Sequence, residues 1–200
     1  EWSVGTVNVR TKRTWTSTEK NALSILRTIA DLHGGDLVFD CPNRLVHLLT
    51  VYGTDSGALF AYKKNMKSIK RVVDTRSLVT RLYAIGSDGL TFADINGGKA
   101  YVEDYTYSSD IRISTLDCSS FTNPYQMKEY TEMRLAQYSK PNISYVLNAM
   151  DLSVLTGYEH EAWSLGDYVH VEDKDLGLSV TTRVIRREYN LQEPWNTVLE

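Results

Sequence analysis

The sequence is poor in the residues that staple or interrupt a fold. Two cysteines, Cys41 and Cys118, stand among 200 residues. They are too few for a cysteine framework, and they leave one disulfide open without implying it. Four Cys/His ligands at zinc-motif spacing are lacking. Only four prolines and twelve glycines occur, which excludes collagen-like and low-complexity classes. No apolar run extends beyond a few residues, so no segment reads as a bilayer span. The opening Glu1-Trp2-Ser3 has neither a basic start nor an apolar core, unlike a secretory signal. The lack of an initiator Met reads as a piece excised from something longer. An excess of basic charge is lacking too, with 22 Lys and Arg against 25 Asp and Glu. Nothing in that balance neutralises a phosphate backbone, so no nucleic-acid specificity is expected.

What remains is ordinary folded-protein composition, 42% hydrophobic and 24% charged, patterned mostly as strands. Residues 2–9 alternate loosely as a strand. Thr16 with Glu19 three residues later reads as a capping box opening a helix over 16–33. Its apolar residues recur at helical spacing until Gly34-Gly35 stops the run. Strands are expected over 37–39, 45–51, 58–62, 66–73, 78–85 and 101–105, with turns at Pro42-Asn43, 87–89 and 96–98. The stretch 108–121 carries no legible pattern. Asn123, Pro124 and Gln126 then form the start of a second helix that ends at Lys140-Pro141-Asn142. Residues 143–152 form a strand apolar on both faces, so both faces are expected to be covered, one by a barrel core. Asp173–Gly177 turns the chain from a strand over 168–172 into a long strand over 178–189. Its alternation slips at Val184-Ile185, as at a bulge. A last strand spans 195–199.

Signatures of catalysis are missing: no G-x-S-x-G, phosphate loop, H-E-x-x-H or C-x-x-C occurs. Glu159-His160-Glu161 alternates along the chain, so its side chains do not converge on one metal, and it reads as a polar loop. Asp173, Asp175 and Gly177 imitate a calcium loop, but Val184 stands where the bidentate acid is needed. His47 reads as a packing histidine. No catalytic, cofactor-binding or metal residue is therefore assigned.

The strongest pattern is charge segregation. Lys63, Lys64, Lys67, Lys70, Arg71, Arg76 and Arg81 face a single acid, Asp74, within residues 63–81. Asp151, Glu159, Glu161, Asp167, Glu172, Asp173 and Asp175 face a single base, Lys174, within 151–175. Three readings stand for such blocks: solvated surface, complementary patches meeting across a subunit or domain interface, and nucleic-acid contact by the basic block. Thirteen Tyr and four Trp favour partly wet interfaces as well as packing.

Several stretches resemble a known family. They are Gly35–Asp40, Ser77–Leu90, Asn96–Asp104, Lys140–Tyr145, Leu155–Glu161 and Leu165–Gly177. Their order is similar to that in the N-terminal structural region of phage minor tail proteins, the prophage tail endopeptidase or tail-associated lysin group. The resemblance implies an α+β, beta-rich fold with a barrel-like domain and smaller α+β parts, like a phage baseplate hub. It implies a homotrimer closing the tail tube in the virion, assembled in the bacterial host cytoplasm. Partners are then the distal tail protein and the receptor-binding apparatus. No membrane segment and no cofactor are implied. Any peptidase of the family lies beyond Glu200, so no catalytic position maps here. The expected division is 1–62 as a small α+β unit, 63–95 with 143–200 as the barrel-like domain, and 99–141 as a helical excursion. Two rival functions stand beside it: a peptidoglycan peptidase or hydrolase, and a host-surface carbohydrate-binding module using Trp2, Trp15 or Trp163.

Overall fold

A computed structural model of the chain describes residues 1–14, 16, 21–193 and 197–200. Ser17, Thr18 and Glu19 of the expected capping box, Trp15, and Trp195-Asn196 of the last expected strand lie outside them. In chain order the elements are β1 (Ser3–Val7), α1 (Ala22–His33), β2 (Asp36–Asp40), β3 (Leu45–Leu49), β4 (Asp55–Ala61) and β5 (Met66–Asp74). Then come β6 (Arg81–Gly86), β7 (Tyr101–Glu103), β8 (Ile113–Cys118), α2 (Pro124–Tyr138) and β9 (Asn142–Ala149). The chain finishes with β10 (Tyr168–Asp173), β11 (Leu178–Arg183), β12 (Arg187–Glu188) and β13 (Thr197–Leu199). The molecule is beta-rich α+β, with short sheets and two longer helices.

Contacts divide it into two compact units, residues 1–51 with 74–142 and residues 52–73 with 143–200. Two features of the packing underlie this grouping. β4 pairs with β10 of the second unit. Residues 74–95 stand with 99–141, because Leu82 and Ala84 of β6 share a core with Met127, Tyr130 and Leu135 of α2.

In the first unit, β3 lies between β1 and β2. α1 starts at Ala22, where the Asn21 side chain accepts the Leu23 N–H, rather than at the expected Thr16. It stops at Gly34, whose φ of 70° is the left-handed cap glycine tolerates best. The second sheet has the order β7-β6-β8. Along β6, Leu82, Ala84 and Gly86 are buried while Tyr83 and Ile85 face outward, the period-two pattern of a half-covered sheet. α2 covers the buried side. Asn123 caps it by accepting the Tyr125 and Gln126 N–H groups, with Pro124 at the first helical position. Phe92 and Phe121 complete the core, and Phe121 stacks on Tyr130 with ring centroids 5.2 Å apart.

In the second unit, one sheet has the order β11-β10-β4 and the other β12-β13-β9-β5. Val169 and Val171 of β10, Phe60 of β4, Leu147 of β9, Leu199 of β13 and Trp163 share its core. The expected barrel is corrected here: among the described residues the sheets hold three or four strands and none closes. The cause lies at Val184-Ile185. The expected long strand does not merely bulge; it changes sheets. β11 pairs with β10, and β12 pairs with β13. Between them, the Ile185 and Arg186 N–H groups donate to the Glu200 carbonyl at 2.7 and 3.0 Å. β9 is covered by the core at Leu147 and Ala149, whereas Ile143 at its start is exposed. Gly53 and Gly166 meet back to back: a Cβ at Gly53, where φ is +94°, falls 1.9 Å from the Gly166 carbonyl oxygen. No helix of the described residues is long and apolar enough to cross a membrane.

Candidate functional site

The residues that sequence analysis weighed for chemistry are held in structural work. The Thr6 N–H donates to His47 Nδ1 at 2.9 Å, and the His47 ring lies so close over Gly5 that a Cβ there meets it at 2.6 Å. Cys41 is exposed and Cys118 buried, and both are free. Burial, reinforced by the Asp117 charge, pushes the Cys118 thiol up to about 11, so it is a packing group and a poor nucleophile. Glu159–Glu161 is one 3-10 turn. Asp173 closes the β10–β11 hairpin by accepting the Asp175 and Leu176 N–H groups at 3.0 and 3.1 Å. Among the described residues no group of three His, Cys, Asp or Glu side chains is placed to hold a metal ion. Trp163 is buried in the core of the second unit, and Trp2 is half-exposed against Phe39.

The acidic block is largely internal to the fold. Asp151 is buried; it caps Ser153 and pairs with Arg187 at 3.1 Å. Glu159 accepts the Gly157 N–H, and Asp167 accepts the N–H groups of Thr54 and Ser164. Glu161 is buried, accepts the Leu59 N–H at 2.9 Å and pairs with Lys64. Asp173 caps its turn. Glu172 is half-buried and Asp175 exposed.

The basic block divides in the same way. Lys64 is held by Glu161, and Lys63 stands 3.9 Å from Asp175. The two blocks thus meet at two points inside one chain. Arg76 grips Asp74 and holds that carboxyl down at about 2, chiefly through its side-chain hydrogen bonds. Arg81 pairs with Glu103 at 2.6 Å and lies over the Tyr101 ring at 4.6 Å. Lys67, Lys70 and Arg71 are exposed along β5. β5 is the outer strand of its sheet, so these three cations line an edge.

Two features escape sequence reasoning. Arg187 is stacked between Trp163 and Tyr189, at 4.7 and 4.9 Å from their centroids, while pairing with Asp151. Trp163 and Asp151 lie 24 and 36 positions before Arg187, and no local signal marks the cluster. The other is β8, from the stretch that carried no legible pattern.

The family model for the prophage endopeptidase tail matches residues 54–200, and that for the prophage endopeptidase tail domain matches residues 1–48. The chain belongs to the prophage endopeptidase tail family. Solved structures of tail proteins share its fold. The 43 kDa tail protein of prophage MuSo2 from Shewanella oneidensis is 13% identical, with 99% of this chain and 58% of that one covered and a TM-score of 0.68. A tail protein from Neisseria meningitidis is 14% identical, with 98% and 60% covered and a TM-score of 0.67. Prophage tail protein gp18 from Listeria monocytogenes is 17% identical, with 99% and 58% covered and a TM-score of 0.58. The chain therefore spans about three-fifths of the length of these structures. No curated protein matches it in sequence. Membership in this family gives it a structural role in a phage tail.

Proposed function

We propose that the chain is a hub component of the phage tail tip, closing the tail tube and anchoring receptor-binding or wall-degrading parts. In this reading it works as a baseplate-hub-like homotrimer in the virion, alongside the distal tail protein and the receptor-binding apparatus. One observation carries the reading: the family match extends over nearly the whole chain, and tail proteins share its fold end to end. A threefold ring is built from heterologous contacts, in which unlike patches meet and rotation closes the set. The exposed cations Lys67, Lys70 and Arg71 on β5 supply one such patch, and the exposed part of the acidic block, Glu159 with Asp175, supplies its counterpart. Opposed potentials of this kind fix register more than they add affinity.

The test is reversal of Lys67, Lys70 and Arg71 to Glu in the prophage, with tails counted by electron microscopy after induction. Tails lacking their tip, or a large drop in intact tails, is the expected result. Wild-type numbers of complete tails overturn the reading. The family's endopeptidase name keeps a wall-degrading activity in view for the whole protein. Incubating the 200-residue chain with peptidoglycan and measuring released peptides decides whether any of it resides here, and no release is expected.

A further inference from the structure

The sheet edges of this chain are protected unequally. An edge strand offers unpaired main-chain donors and acceptors, and folded proteins blunt it with charges, bulges or brevity. β5 carries Lys67, Lys70 and Arg71, and β2 is bracketed by Asp36 and Asp40. β1 and β4 break register within their pairings. β7 and β12 are three and two residues long. Two edges are guarded least, β8 and β11: each is six residues long in unbroken register, with one charged residue near its end, Asp117 and Arg183.

β8 reads Ile113-Ser114-Thr115-Leu116-Asp117-Cys118 and pairs with β6 in unbroken parallel register from Arg81↔Ile113 to Gly86↔Cys118. Among the described residues β6 is its one neighbour. The direction of its main chain follows from Arg112. The Arg112 carbonyl accepts the Thr80 and Arg81 N–H groups, and its own N–H donates to Thr80 Oγ1 at 2.8 Å. Arg112 thus faces β6, as do Ser114 and Leu116, and Ile113, Thr115 and Asp117 turn their N–H and C=O groups outward. A cleft of about 730 Å³ runs beside the strand, lined by Leu78, Val79, Arg112, Leu116 and Tyr138.

Among the described residues β11 is the outer strand of its own sheet, six residues long and in unbroken register with β10. The Val184 N–H donates to the Asp167 carbonyl. By alternation Val180 and Thr182 face β10, and Ser179 and Thr181 face outward.

We propose that these two edges join copies of the chain, β8 of one copy taking β11 of the next as a parallel strand. Charge sets the direction. Arg112 precedes β8 and Asp117 lies near its end, and Arg183 ends β11. Parallel pairing brings Asp117 beside Arg183, and antiparallel pairing brings Arg112 beside it. The contact is heterologous, because each copy contributes one edge of each kind, and main-chain hydrogen bonds supply the recognition. The inference rests on the hub reading only in that copies meet one another.

Sedimentation velocity of the 200-residue chain over a concentration series tests it, with hydrogen exchange read at the same concentrations. Wild type is expected to associate, and the Thr115 and Thr181 amides to slow by about tenfold or more as it does. Thr115→Pro and Thr181→Pro each remove an outward N–H without breaking a ladder bond, and each alone is expected to be monomeric. Mixed together they are expected to form dimers that grow no further, since one intact contact remains. Thr115→Lys, which keeps the backbone amide, is expected to weaken association as Thr115→Pro does, and it covers the case in which proline disturbs folding. A wild type that is monomeric throughout overturns the pairing, as does association unchanged in Thr115→Lys and Thr181→Pro. Either failure leaves the hub reading to the tail count after charge reversal, which does not depend on these edges.

Discussion

Truncating Glu161 to Ala gives the sharpest measure of how charge is used in this fold. Glu161 is 7% exposed; its carboxylate accepts the Leu59 N–H of β4 and pairs with Lys64. Hydrogen bonds to a charged group contribute about 1.5–3 kcal/mol each, and breaking a buried pair costs about 3–5 kcal/mol. The Lys64 side chain is 34% exposed, so it regains water when the carboxylate goes, and the low end applies, about 3 kcal/mol. At about 2–4 °C per kcal/mol for a chain of this size, Tm falls by about 6–12 °C. Trp163, in the same core, reports the transition by fluorescence. Burial raises the Glu161 carboxyl, but the Lys64 hydrogen bond, the Leu59 N–H and the Lys64 charge outweigh it, so the folded value lies below that of an ordinary glutamate. A depressed folded pKa stabilises above the unfolded value and stops doing so as pH falls through the folded one. The gap between wild type and Glu161→Ala should therefore be full near neutrality and shrink below about pH 4.5. Replacing both partners, Lys64→Met with Glu161→Leu, should cost clearly less than the two single losses together. A Glu161→Ala variant within 0.5 kcal/mol of wild type at pH 7, by the usual range for neutral surface changes, or a gap constant down to pH 3, refutes the reasoning.

Other changes probe other parts of the fold. Gly53→Ala forces a Cβ to 1.9 Å from the Gly166 carbonyl at a φ of +94°; a loss of at least about 3 kcal/mol follows, seen as insoluble expression or a Tm drop, and a wild-type Tm contradicts it. A thiol reagent should label Cys41 at once and Cys118, buried with its thiol near 11, only after denaturant is added. Asn123→Ala should cost about 1 kcal/mol in urea unfolding by removing the α2 cap, whereas Asn123→Asp should be nearly neutral.

The parts of the fold legible in the sequence are those with a local punctuation mark. Asn123-Pro124 marks α2, Gly34 ends α1, and Asp173 with Gly177 marks the β10–β11 hairpin. β8 was invisible because its partner β6 lies about 30 positions upstream and runs parallel, so no turn announces the pair. Only alternate residues of it are covered, and Ile113 is 60% exposed. The slip at Val184-Ile185 was visible as a break in alternation, but alternation does not tell a bulge from a transfer between sheets. Barrel closure and the interleaving of the two units depend on long-range pairing, which leaves no mark on composition. The charge blocks were plain in the sequence. That Asp151, Glu161 and Asp173 are buried partners and caps was not, since burial belongs to the fold rather than to the string.

The interleaved order of the units bears on how the protein is made. β4 and β5 leave the ribosome long before β9 and β10, the strands they pair with, have been synthesised. About 70 residues separate Val73 from Ile143, which is roughly 4–14 s of translation at about 5–20 residues per second. During that wait Phe60 and Met66, both core residues once folded, belong to a nascent segment with no partner. Lys63, Lys64, Lys67, Lys70 and Arg71 flank them, and charged gatekeepers of this kind suppress premature aggregation of a strand. The same basic run therefore guards the polypeptide in the cell before any tail exists for it to join.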